Sequence, residues 1–321
     1  TTAWNTTRLT AARFRRGVSR LLKNYATKST TLCTSSLFTK FRNPRKKEFF
    51  ICCFDKVTRK IFKPNVKNVA NQTGFYNFAT QDGEKVSIES FFNETESKVN
   101  FALESLIKKS ALSVFLENRP VFAKFFALQE SRTLIFRDVH DDTIRLANER
   151  LKTEKPFFPE PTVDDTKEFQ ARFLIDMSDF FTDVLLRMKW ILVTNQTKMP
   201  FWTSDNPIFR YNPHKAELVG NLGLESPGIQ LYIPVSPILA ITICDPFEYA
   251  DIASELPAFA PSVDFNNSGQ VINSRQYVFS PNDNFDLAQK MMSKDPKLAN
   301  PKRQRITIAS SSGVFIPTAC G

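Results

Sequence analysis

The sequence predicts an α+β fold, a central helical bundle packed on a mostly antiparallel sheet, from three observations. Apolar residues recur at helical spacing between residues 87 and 188. Short β-branched and aromatic runs separated by Asn, Pro and Gly follow from Trp190 onward. Helices gathered in the middle with strands gathered after them do not alternate, as an α/β chain would.

Taken in order, Phe49 to Phe54, the polar Lys56-Val57-Thr58-Arg59 and then Lys60 to Phe62 read as a β-hairpin. From Ser87 the pattern becomes helical, with Ile88, Phe91, Phe92, Val99, Leu103, Leu106 and Ile107 on one side and Glu104 four residues before Lys108 as a supporting pair. A second helix follows Pro120, where Phe122, Phe125 and Phe126 stand at i, i+3 and i+4. Glu154 to Pro161 is rich in proline and reads as a loop. The third helix, Phe173 to Met188, has the broadest stripe: Phe173, Leu174, Met177, Phe180, Phe181, Val184, Leu185 and Met188, with Asp176, Asp179 and Asp183 off it. Strands are expected over 190–194, 201–203, 208–211, 230–233, 239–244 and 270–279. Asn284 to Met292, with Asp283 as N-cap, reads as a closing helix before a basic, structureless tail.

With 42% apolar and 24% charged residues among 321, the chain is globular rather than disordered or collagenous. Only nine glycines are present, and no phosphate-cradling loop is found. The longest apolar stretch, Gln230 to Asp245, is interrupted by Pro234 and Pro237 and is shorter than the about 18 residues of a membrane span, so no membrane partner is expected. The net charge of +10 would ordinarily point to nucleic acid. It is local, however: residues 1–47 hold 12 of the 43 basic residues and no acid, leaving 31 basic against 33 acidic in the remainder. Nucleic acid loses its support as a partner once that segment is set aside. Five cysteines without a CxxC pair imply a reducing, cytoplasmic compartment, and with two histidines a zinc site is not expected. His140, in Asp138-Val139-His140-Asp141-Asp142, is either an acid-base or hard-metal site or a solvated helix surface. His214 reads as surface.

Several polar residues interrupt these patterns. Gln129 and Arg132 continue the Phe122/Phe125 face inward, where unpaired burial is unfavourable. They are either a substrate or phosphate clamp or an internal hydrogen-bond network. Trp202-Thr203-Ser204-Asp205-Asn206-Pro207 ends an apolar strand in polar residues. Asp205 there is either a general base or metal ligand, or the start of a turn. Pro234-Val235-Ser236-Pro237 reads as a strand kink or edge, and Asn273 as a site residue or a bulge.

In order along the chain, Phe50-Ile-Cys-Cys-Phe-Asp-Lys56, Gly74-Phe75-Tyr76, Glu94 or Glu96, Phe126-Ala-Leu-Gln-Glu-Ser-Arg-Thr133, Trp190, Thr203-Ser-Asp-Asn-Pro207, Pro234-Val-Ser-Pro237 and Asn273 before Tyr277 resemble the DUF4238 family, over residues 49–282. The resemblance brings no established activity, cofactor or catalytic residue with it. Such proteins open on His-Tyr-Val-Pro-Gln-x-Tyr-Leu-x-x-Phe, where this chain has Thr31-Leu-Cys-Thr-Ser-Ser-Leu-Phe-Thr-Lys-Phe41. Suitable codons for these residues, read from the second base, restore the family segment. Residues 1 to about 42 are therefore expected to be out of frame, with an Arg-rich mitochondrial-type presequence as the competing reading. The organisation expected is a basic extension over 1–47, a single domain over 48–295 and a basic tail over 296–321.

Two functions stay open. One is a hydrolase of a phosphoester or nucleic-acid-like substrate, in which Asp205, Arg132, Gln129, Glu96, Glu94 and Asn206 converge as the catalytic set and Ser204, Asn273, Tyr76 and Trp202 contact the substrate. Asp205, or the family's missing His, would activate water, and Arg132 would hold the anionic group. The other is a non-catalytic binding or regulatory module of mobile-element or phage-conflict context, in which these residues form a structural network. An enzyme needs them around an open cleft; a module needs them mutually satisfied.

Overall fold

The computed structural model describes residues 35–41, 49–66, 69, 74–80, 83–151, 158–214, 221–311 and 314–319. The fold is mixed α+β. Seven helices longer than one turn lie among these residues: α1 Asn93–Lys109, α2 Leu112–Glu117, α3 Arg119–Ser131, α4 Leu134–Leu151, α5 Val163–Arg187, α6 Ala260–Asn273 and α7 Asp286–Lys294. The strands are β1 Cys52–Asp55, β2 Ile61–Phe62, β3 Asn77–Ala79, β4 Lys85–Ser87, β5 Lys189–Asn195, β6 Thr203–Ser204, β7 Phe209–Tyr211, β8 Gln230–Pro234, β9 Leu239–Cys244, β10 Glu255–Ala258, β11 Tyr277–Ser280, β12 Ile306–Ser311 and β13 Val314–Ala319.

A four-stranded antiparallel sheet runs β2-β1-β11-β6, and a five-stranded sheet runs β10-β5-β9-β8-β7. All pairs in them are antiparallel except β10 with β5. β3/β4 and β12/β13 are separate two-stranded ribbons. Helix α3 is the hub of the helical layer, packed along α5 and against α1. Its Phe122 and Phe126 stack in sequence onto Trp190 of β5, whose indole Nε1 donates to the Leu185 carbonyl at 2.7 Å. Helix and sheet thus share one core. A short helical turn, Ser35–Phe38, also enters it: Leu37, Phe38 and Phe41 are fully buried, and Phe38 meets Phe279 of β11 edge-on.

Local chemistry explains the boundaries. Helix α5 begins with a capping box, in which Thr162 Oγ1 accepts from the Asp165 amide and Asp165 Oδ2 accepts from the Thr162 amide. Helix α1 ends at Ser110 in the left-handed conformation, with Lys108 and Lys109 in its last turn.

The structure corrects several expectations. Gln270 to Asn273 are the last residues of α6, not the start of a strand; only Tyr277–Ser280 is extended. The inward positions of α6 are Val263, Asn266, Asn267, Gln270 and Val271, a helical spacing concealed by three amide side chains. Phe180, placed on the buried stripe of α5, is exposed, while Ser178 and Gln170 are buried. Glu104 pairs with Lys40 at 2.8 Å, not with Lys108. Asp283 does not cap α7; it pairs with Lys63, and Asn284 Oδ1 accepts from the Asp286 amide. The segment after α7 is not structureless, since β12 and β13 pair along their length. Pro234-Val235-Ser236-Pro237 forms the β8/β9 turn, closed by bonds from the Val235 and Ser236 amides to the Leu239 carbonyl. The out-of-frame reading of residues 1–42 lies outside the described residues except at 35–41.

Candidate functional site

Of the expected site residues, Arg132, Glu96 and Tyr76 come together. Arg132 follows the last residue of α3, Glu96 lies in the first turn of α1, and Tyr76 precedes β3. The Arg132 guanidinium donates to Glu96 Oε1 at 2.7 Å and from Nε to the Tyr76 hydroxyl at 3.3 Å, and lies 4.3 Å from the centre of the Phe92 ring. Burial opposes its charge, but Tyr76 and Glu96 outweigh this and raise its pKa. Next to it Arg137 of α4 donates to Gln170 Oε1 at 2.7 Å and to the Phe75 carbonyl at 2.8 Å, over the Phe75 ring. Gln170 of α5 in turn donates to the Ser131 and Thr133 carbonyls, which the corner between α3 and α4 leaves without helical partners. Gln129, one turn before Arg132, is fully buried, and neither atom of its amide has a hydrogen-bond partner. Glu94 is not part of this cluster; it is exposed and pairs with Lys98 at 2.6 Å.

Asp205, Asn206, Ser204 and Asn273 form a second group, where the 200–208 segment meets α6. Asp205 is half-buried, and its carboxylate accepts from three consecutive backbone amides, Arg275 at 2.7, Gln276 at 2.7 and Tyr277 at 2.9 Å. Burial raises its pKa, against the pull of those amides and of Lys56. In the opposite direction α6 serves the backbone of the 200–208 segment. Asn267 accepts from the Trp202 amide and donates to the Pro200 carbonyl, Gln270 donates to the Pro207 carbonyl, and Asn273 donates to the carbonyls of Asn206 and Ile208. Ser204 Oγ donates to Gln270 Oε1 at 2.7 Å. The 200–208 segment therefore satisfies the backbone of the turn after α6, while α6 satisfies the backbone of that segment. Trp202 is fully buried against Phe285, away from solvent.

The end of α6 collects basic side chains. Lys56, fully buried, donates from Nζ to the Val271 and Ser274 carbonyls, both at 2.8 Å. Arg305 donates to Asn273 and Ser274, and Arg303 to Ile272. These cations stand where the helix presents its partial negative charge. Burial, then the neighbouring Arg303, lower the Lys56 pKa to about 7, with Asp205 opposing. Arg275 joins the two groups, since its guanidinium pairs at 2.7 Å with Asp138, the α4 neighbour of Arg137.

His140 stacks on Phe169 of α5, with Nδ1 3.0 Å from Asp141 Oδ1, and His214 lies 2.7 Å from Glu248 at the surface. No group of three or more His, Cys, Asp or Glu side chains positioned to hold a metal occurs among the described residues. None of the described helices is long and apolar enough to cross a membrane. Sequence reasoning missed Lys56, Arg137, Gln170, Asn267 and Gln270. A signal existed for the amides, because 267, 270 and 273 recur every three residues between apolar positions.

The sequence matches the family described as "Protein of unknown function (DUF4238)" over residues 19–284, and the chain belongs to that family. The match runs further toward the N-terminus than the motifs of the core and passes through the buried turn at 35–41. No curated protein and no solved structure matches the chain.

Proposed function

We propose that this DUF4238 member is a non-catalytic binding or regulatory module, and not a hydrolase of phosphoesters or nucleic acid. One observation carries the reading: the Asp205 carboxylate, the residue best suited to activate water, is engaged by three backbone amides of the half-buried 275–277 turn. A general base must reach the proton it removes, and fixed backbone donors already take three of the about four acceptor sites of this carboxylate. Arg132 supports the same view, since its charge is engaged by Glu96 instead of standing open to an anion. Ser204, Asn206 and Asn273 serve one another and the backbone around them. A reducing, cytoplasmic setting belongs to this reading, supported by Cys52, Cys53 and Cys244, all buried free thiols.

The test is turnover. Full-length protein, with and without added Mg²⁺ or Mn²⁺, is incubated with bis(p-nitrophenyl) phosphate and with a labelled single-stranded oligonucleotide. Rates equal to the buffer blank are expected. Hydrolysis by the wild-type chain that a folded Arg132→Lys variant loses would overturn the reading.

A further inference from the structure

The outward face of α5 carries an arrangement that neither polar network uses. Phe169, Phe173, Asp176, Phe180 and Asp183 stand at i, i+4, i+7, i+11 and i+14, which is one line along a helix. The line is solvent-accessible: Phe169 is 39% and Phe180 52% exposed, and Asp176 and Asp183 are exposed. Its rings do not lie loose. Phe136 of α4 sits 4.8 Å from Phe173 and 6.0 Å from Phe169, Phe173 is 5.6 Å from Phe181, and Phe181 is 5.5 Å from Phe180. The result is a continuous aromatic ridge, about 21 Å from the first to the last of the five positions at 1.5 Å per residue.

Charge decides what such a ridge can receive. Asp179, beside it, is already paired with Lys124 of α3 at 2.7 Å. Asp176 and Asp183 make no ion pair among the described residues. Arg172, one turn before Asp176, is itself bonded to Glu168 at 2.8 Å, so a further cation at Asp176 is favourable. Aromatic faces alternating with carboxylates attract Lys and Arg twice, through the ring quadrupole and through the ion pair. They repel the phosphates of nucleic acid. A two-fold pairing of this face with its own copy would set these carboxylates against one another.

We infer that the outward face of α5, from Phe169 to Asp183, is a docking surface for an amphipathic helix of a partner protein that carries Lys or Arg along its contact side. The inference rests on the binding-module reading and gives that module its partner class. Anchors at i, i+3, i+4 and i+7 on about fourteen residues of the partner would match the ridge.

The experiment uses full-length protein and two labelled 18-residue helical peptides of equal hydrophobicity, one with Arg at the polar contact positions and one with Glu, followed by fluorescence anisotropy. Wild-type protein is expected to bind the Arg peptide at least tenfold more tightly than the Glu peptide, with affinity falling as salt rises. Asp176→Lys/Asp183→Lys should invert that preference, and Phe169→Ser/Phe180→Ser should weaken both peptides; all four positions are on the surface, and circular dichroism verifies the fold. Equal binding of the two peptides, no binding of the Arg peptide, or no effect of the charge reversal overturns the inference. So does sedimentation showing a wild-type dimer that Phe169→Ser/Phe180→Ser dissolves, because the occupant is then a second copy. Phosphoester turnover with peptide preference intact defeats only the non-catalytic reading. Loss of peptide preference without turnover defeats only the docking surface.

Discussion

The Arg132 network and the half-buried Asp205 clasp are both polar, yet they are built differently. In the first, the charges are answered by side chains, Arg132 by Glu96 and Tyr76 and Arg137 by Gln170, with carbonyls met only at the corner between α3 and α4 and at Phe75. In the second, side chains answer backbone: Asp205 takes three amides, and Asn267, Gln270 and Asn273 serve the carbonyls of the 200–208 segment. The difference follows from what surrounds each. Helices α1, α3 and α5 satisfy their own backbones, so a charge entering between them must be met by another side chain. The 200–208 segment is mostly irregular, with only two residues in β6. Its amides and carbonyls would be orphaned in the interior without the polar face of α6. In these two groups a polar side chain marks a charge or a backbone group nearby that would otherwise be unmet.

Removing one member from each group separates them. Arg132→Ala strands the buried Glu96 carboxylate and is expected to destabilise by about 3–5 kcal/mol in chemical denaturation, while Arg132→Met/Glu96→Leu should destabilise less than Arg132→Ala alone. If the double variant is no better, the pair is not the unit that matters. Asp205→Ala orphans three amides and should lower stability by about 3 kcal/mol, with local loss of hydrogen-exchange protection at 275–277. Protection that survives at those amides would show the clasp to be dispensable.

A smaller effect, about 1–3 kcal/mol, is expected for Gly269→Ala, because a Cβ there would come within 2.2 Å of the Phe209 ring packed on α6. Lys56 gives the clasp a pH signature. Its folded pKa of about 7 lies below the unfolded value, so between pH 7 and 10 the unfolded chain holds a proton that the folded chain lacks. Stability should therefore rise from about pH 7, by at most about 1.4 kcal/mol per pH unit. Cys53 and Cys244, both raised by burial, act in the other direction above the ordinary thiol range, because the folded chain keeps protons that the unfolded chain releases. A maximum between pH 7 and 9 is expected, and Lys56→Met should flatten the rise below it. The smallest effect belongs to Glu94→Ala, which removes an exposed pair outside both groups and should leave the unfolding midpoint unchanged.

Much of this was legible in the chain itself. Periodic apolar residues set the helices over 93–109 and 119–131 and the 173–187 part of α5, whose first ten residues were not foreseen, and β-branched runs set β5, β8 and β9, because amphipathic spacing is a local property. The inward course of Gln129 and Arg132 also followed from spacing alone. What the pattern did not reveal was α2, the long α4 and α6, whose buried face is half amide, and the exposure of Phe180, whose place on α5 depends on which side α3 and α4 cover. Pairings across long separations, such as Arg132 with Glu96 or Asp205 with the 275–277 turn, leave no periodic trace. Local pattern thus determined the elements whose buried face is apolar and most of the residues that point inward. The partner that each buried polar group meets was decided only when helices and loops packed, since hydrogen bonds are made with whatever the tertiary structure brings within about 3 Å.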